Sequence, residues 1–130
     1  MQDFKRLEVW QLARVHAGTV YRQTSNFPRE ETFGLRAQMR RAAVSVCANI
    51  AEGCGRTGPA EFGRFLSIAM GSASDLECEI ILAFDLGFIE RAKYEELTAS
   101  VTRLKRMIAG LLRSVRRRPK PNRQPTTENR

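Results

Sequence analysis

Histidine occurs once in these 130 residues, tryptophan once and tyrosine twice, and the three cysteines keep no regular spacing. Each scarcity removes a class of chemistry. The lone His16 has Ala13 three residues before it and Thr19 three after, so the Glu-x-x-His pairs of a di-metal helical bundle are missing. Cys47 and Cys54 stand seven apart with Cys78 far away, which leaves no Cys-x-x-Cys pair and no zinc set of familiar type. The pattern therefore predicts neither a metal nor another cofactor. An odd cysteine count, with no charged-then-apolar leader at the start, predicts a reduced, cytoplasmic protein. The longest uncharged stretches, residues 42–51 and 65–74, are half of the ~20 apolar residues that cross a bilayer, so no membrane span is expected. Alternating strand patterns are absent as well. The glycines of Gly53-Cys-Gly-Arg-Thr-Gly58 invite comparison with a phosphate loop, but no strand precedes them and no Gly-Lys-Ser/Thr follows.

What the chain has is charge, unevenly placed. Residues 1–100 carry twelve Lys/Arg against thirteen Asp/Glu, whereas residues 101–130 carry ten Lys/Arg against the single Glu128. The whole net charge of +8 is therefore C-terminal. Such local density attracts polyanions without saying anything about fold.

Four segments repeat apolar residues at helical spacing. They run through Trp10, Ala13, Ala17, Val20 and Thr24; through Leu35, Met39, Ala42, Val46 and Ile50; through Phe62, Leu66, Ala69, Ala73, Leu76, Ile80 and Ala83; and through Tyr94, Leu97, Val101, Leu104, Ile108, Leu111 and Val115. Steps alternating between three and four suit helices crossing at ~20°, and short breaks make successive helices antiparallel. The fold expected is all-α: an antiparallel up-down four-helix bundle over residues 1–118. Three prolines in a polar, basic run at 119–130 predict a flexible basic C-terminal tail outside it. Further apolar residues beside the seams (Val9, Leu12, Val15, Ile81, Phe84, Phe88, Met107, Leu112) predict surface left over for assembly.

The stretch SVCANIAEGCGR, residues 45–56, falls at the second corner. Gly53 and Gly55 are expected to close the second helix in the left-handed conformation, with Gly58-Pro59 opening the third. Asn49 and Glu52 exceed what a helix end requires. Their structural reading is that they hydrogen-bond the corner and pair with Arg56 or Arg64. The catalytic reading, Cys47 or Cys54 acting with Glu52, requires a thiol that alkylates fast near neutral pH. The corner reading is preferred, and the chain is expected not to be an enzyme. On the fourth helix Arg103, Arg106, Arg113 and Arg117 form a ridge beside the apolar seam, flanked by Lys105 and Arg116 and continued by Arg118, Lys120 and Arg123. With no base-reading motif present, this ridge predicts phosphate contacts to nucleic acid, RNA favoured over DNA.

The motifs Phe4-x-x-Leu7-x-Val9-Trp10-Gln11-x-Ala13, Phe27-Pro28, Gly34-Leu35-x-x-Gln38-x-Arg40-Arg41-Ala42, Asn49-Ile-Ala-Glu-Gly53-x-x-Arg56 and Phe62-x-Arg64-Phe65-Leu66-x-x-Ala69-x-Gly71-Ser72 together resemble a bacterial family. It is the four-helix bundle family encoded in intervening sequences of 23S ribosomal RNA genes. The resemblance covers roughly residues 3–112 and implies a homopentameric ring with no known catalytic activity. It extends to the accessory variability proteins of diversity-generating retroelements, basic pentamers that bind nucleic acid and a reverse transcriptase. A protein-interaction or reverse-transcriptase accessory role is thus the alternative. The family signature maps onto Arg40, Arg41, Asn49, Glu52, Gly53, Arg56, Arg64 and Phe65, expected to gather at the second corner as structural or interface residues.

Overall fold

A break at Ser25 to Pro28, a glycine pair around Arg56 and a short turn after Asp85 divide the chain where its apolar periodicity stops, and helices fill the intervals. The computed structural model describes residues 2–118; Lys120, Arg123 and the rest of the predicted tail lie outside the described residues. The helices are α1 (Glu8–Thr24), α2 (Leu35–Cys54), α3 (Pro59–Asp85) and α4 (Arg91–Arg116), with single 3-10 turns at Phe4–Arg6 and Arg29–Glu31. There is no strand among the described residues. Helix α2 packs on α1 and α3, and α4 closes the square against α3 and α1, the expected antiparallel bundle.

All seven α3 seam residues and all five on α2 are buried. Leu66, Ala69, Ala73 and Leu76 are inaccessible, as are Met39, Val46 and Ile50 facing them. On α4 the seam is buried at Leu97, Val101, Leu104, Ile108 and Val115, while Tyr94 and Leu111 are half-buried. The second apolar positions are mostly covered too: Val9 is buried, and Leu12, Phe84, Phe88, Met107 and Leu112 pack partly against the core. Only Val15 and Ile81 of that set stand out in solvent. The bundle is wider than its narrow seams imply because side chains flanking each seam fill the spaces between neighbouring helices.

The turns correct the glycine assignments. Gly53 lies inside α2, and Gly55 follows it with φ −83°, in the ordinary helical region. The left-handed residues are Gly58 and Gly87. Gly58, at φ 86° and ψ 159°, occupies a region essentially reserved for glycine and swings the chain into Pro59. Gly87 closes α3: its N–H donates to the Phe84 carbonyl while Phe88 N–H donates to that of Ala83, the paired bonds of a Schellman cap. Phe88 then packs against Phe27 of the first connection, the rings tilted by 51° with centroids 5.3 Å apart, tying the two connections at that end.

His16 is only 2 % exposed in α1, with neither ring nitrogen hydrogen-bonded among the described residues. Burial disfavours the charged ring and lowers its pKa to about 4. The unfolded chain accepts a proton below its ordinary 6.5 and the folded chain does not, so this contribution to stability is complete above ~7 and lost as the pH falls toward 4. By pH ~5 the loss is about 2 kcal/mol. Glu79 on α3 acts in the opposite sense, because desolvation and Asp75 raise its carboxyl to about 7 and that stability is lost as the pH rises. The effect of His16 is therefore read as a difference: the stability gap between wild type and His16→Leu in urea should widen by about 2 kcal/mol from pH ~7.5 to ~5. A constant gap would mean His16 is protonated in the fold.

Candidate nucleic-acid interface

At 100° per residue, Arg106, Arg113 and Arg117 share one line along α4 and Arg103 lies within a turn of it, on the side away from Leu104 and Ile108. The ridge thus stands opposite the apolar seam rather than beside it. All four arginines are exposed, as are Arg116 and Arg118. None of the six pairs with a carboxylate among the described residues. Lys105 is different: its Nζ meets Glu77 Oε1 at 2.8 Å, and the pair is about two-thirds buried between α3 and α4. It fastens two helices and leaves the ridge, because its position faces α3. Cations at the end of α4 also meet the negative end of the helix dipole, but that requires only the last turn. Arg103 and Arg106 lie earlier, and neither makes an ion pair among the described residues.

The signature residues divide between two ends. Arg40 and Gly53 are thirteen residues apart on one helix, ~20 Å along its axis. Arg40 Nε donates to Thr24 Oγ1 (2.9 Å) and Nη2 to the Tyr21 carbonyl (3.0 Å), its guanidinium lying 4.5 Å from the Tyr21 ring centroid. One turn earlier, Arg36 Nε donates to the Thr24 carbonyl at 3.0 Å and its Nη2 to that of Phe27. Together they satisfy two of the carbonyls that end α1, those of Tyr21 and Thr24, and one in the connection after it, at Phe27. Arg36 carried no signal of its own, although its spacing of four from Arg40 puts both on one face. Arg41 is exposed, its charge acting on Glu79.

Glu52, Gly53, Arg56, Arg64 and Phe65 do meet at the second corner. Glu52 and Arg56 form an ion pair of 2.7 Å, and Arg64 pairs with Glu61 at 3.1 Å. Arg56 and Arg64 both lie over Phe65, at 5.1 and 4.5 Å from its ring centroid. Asn49 serves the α2–α3 interface instead of the corner: its Nδ2 donates to the carbonyl and Oγ of Ser45, whose hydroxyl meets that of Ser72 at 2.8 Å. Gly53 permits close approach. A Cβ there would stand 2.9 Å from Phe62 Cδ1 and 3.0 Å from Phe65 Cβ. Gly53→Ala should therefore push α3 away and destabilise the bundle by about 1–3 kcal/mol in thermal or urea unfolding, despite alanine's better helix propensity. An unchanged midpoint would show that Phe62 swings aside freely.

Burial raises the pKa of the Cys47 and Cys54 thiols, which makes both poorer nucleophiles. No group of three or more His, Cys, Asp or Glu that could hold a metal occurs among the described residues. The end of α4 reaches this corner because Leu112 and Val115 pack on Gly63, 3.7 and 3.9 Å from where a Cβ would stand. Arg118 is thereby laid over the Phe62 ring, 5.9 Å from its centroid. A cavity of about 300 Å³ opens between these elements, lined by Gln2, Cys54, Arg56, Pro59, Phe62 and Arg118 among others.

The family model described as 23S rRNA-intervening sequence protein matches residues 5–110. Arg103, Lys105 and Arg106 fall within that match; Arg113 and the cations after it lie beyond it. A crystal structure of a protein of unknown function from the S23 ribosomal protein family of Bacteroides thetaiotaomicron VPI-5482 has the same fold. It superposes with a TM-score of 0.73 at 23% identity, covering 80% of this chain and 97% of that one. No curated protein matches in sequence.

Proposed function

We propose, for a chain that belongs to the 23S rRNA-intervening sequence protein family, a non-enzymatic role: a homo-oligomeric bundle that binds RNA through the outer face of α4. The observation that carries this reading is the row of exposed arginines, Arg103, Arg106, Arg113, Arg116, Arg117 and Arg118, with no acidic partner among the described residues. An isolated domain gains nothing from holding that many like charges on one helix, whereas a phosphate backbone neutralises them and releases counterions. Phosphate contacts of this kind carry little sequence preference. Raised thiol pKa values at Cys47 and Cys54 support a role without nucleophilic catalysis.

Assembly is supported by apolar side chains left in solvent: Phe33 is 93% exposed, Leu86 61%, and Ile81 and Leu82 lie next to each other on α3. The pentameric number rests on family resemblance. A ring would repeat the basic face around its axis and turn modest contacts into avid ones. No described helix is long and apolar enough to cross a membrane.

The test is binding of the full chain to a fluorescent single-stranded RNA and a matched DNA duplex at ~50 and ~200 mM salt, with oligomer mass recorded alongside. Affinity should fall steeply across that range, with RNA bound more tightly than DNA by a species heavier than the monomer. Absence of binding at low salt would reassign the basic face to docking an acidic protein.

A further inference from the structure

The cavity at the end of the basic row has a composition that the row itself does not explain. We propose that it receives the terminal phosphate of an RNA strand, held between the guanidiniums of Arg56 and Arg118; this deepens the RNA-binding reading and rests on it.

Two arginines 62 positions apart in sequence line one solvent-accessible cavity of about 300 Å³. Both are braced before any ligand arrives. Arg118 leaves α4 with its N–H donated to the Val115 carbonyl and its guanidinium over Phe62; Arg56 lies over Phe65 and is steadied by Glu52. Guanidinium forks held in place suit the planar, two-pronged recognition of phosphate oxygens. The rest of the wall is uncharged: Gln2, Pro59, Phe62 and a Cys54 thiol that burial keeps protonated. The carboxylates nearby are already engaged, Glu52 by Arg56 and Asp3 by Lys5 at 3.6 Å.

Shape and position select a strand end over a passing backbone. The pocket is half-open to solvent and small: about 300 Å³ is at the lower limit of ligand pockets, enough for a phosphate with its sugar but not for a strand passing through. Arg118 directly follows Arg117, the last residue of the ridge. A strand lying along α4 is therefore delivered to the cavity mouth.

The deciding experiment compares the full chain's affinity for one single-stranded RNA made with a 5′-phosphate, a 3′-phosphate or hydroxyls at both ends. At least one phosphorylated form should bind roughly tenfold more tightly than the hydroxyl form. Arg56→Gln should abolish that preference while leaving hydroxyl-ended RNA within about threefold of wild type; Arg118→Gln should abolish it too while weakening every form, because Arg118 also belongs to the basic row, and Arg118→Lys should restore part of the preference. Changing Arg103, Arg106, Arg113 and Arg117 together to glutamine should weaken every form yet keep the preference. The preference should also shrink below pH ~6, where a phosphate monoester regains its second proton. Equal affinity for all three RNAs, with binding still salt-sensitive, overturns the cavity and leaves the ridge standing. If no RNA binds, the melting temperature in inorganic phosphate against chloride at matched ionic strength decides. A rise that Arg118→Gln removes keeps a phosphate site and makes its ligand a free phosphate ester; no rise ends the proposal.

Discussion

Arg103, Arg106, Arg113 and Arg117 changed together to glutamine should lower affinity for single-stranded RNA by roughly 10²–10³-fold at ~100 mM salt, with the fold unaltered. Each phosphate neutralised on a single strand contributes a slope of about 0.7 in log affinity against log salt, so losing four contacts should flatten that slope by about three. The two readouts are independent, and a mere loss of active protein would move the first without the second. The fold should survive because all four side chains are exposed and make no ion pair among the described residues. Helical circular dichroism and oligomer mass should match wild type. Unchanged RNA affinity would remove the ridge from the mechanism. Lys105→Gln is the informative contrast, since breaking its contact with Glu77 should cost stability and little RNA affinity.

Leu76→Ala should destabilise the bundle by about 2–5 kcal/mol, the range for removing a buried leucine from a core that collapses only in part. Leu76 has no accessible surface and lies in α3 between Ala73 and Ile80, both buried. Two of its seam neighbours, Ala69 and Ala73, are too small to close the gap by rotating, which favours the upper half of the range. For a domain of this size the shift corresponds to roughly 8–20 °C in melting temperature. Leu82→Ala, six residues later, removes the same atoms from a half-exposed position. In an isolated bundle it should cost well under 1 kcal/mol; in an assembly that covers this face it should lower the oligomer mass at a given concentration. A near-neutral Leu76→Ala would contradict the buried seam.

In the sequence the corner residues look like one cluster because they crowd one stretch of chain. Asn49 shows why that is deceptive. Three residues from Glu52 on the same helix, it turns toward Ser45 and α3 while Glu52 turns toward Arg56. Gly53 shows a second failure, since a glycine near a helix end resembles a left-handed cap. It serves instead a helix contact that involves Phe62 and Phe65, residues still to come in the chain. Lys105 shows a third: a lysine among arginines reads as one more cation until Glu77, 28 residues earlier, is found opposite it.

The sequence by itself determined the four helices, the faces they bury, and the concentration of positive charge in the last thirty residues. These are local properties, set by spacing along one helix and by the cost of leaving apolar side chains in water. Only the tertiary structure decided which charges face solvent and which are consumed between helices. It alone brought Arg118 to Arg56 and set Arg40 against the end of α1. Those outcomes depend on the register of one helix against another, which the turns at Gly58 and Gly87 and the close contacts at Gly53 and Gly63 establish together, and no periodicity within a single helix encodes it.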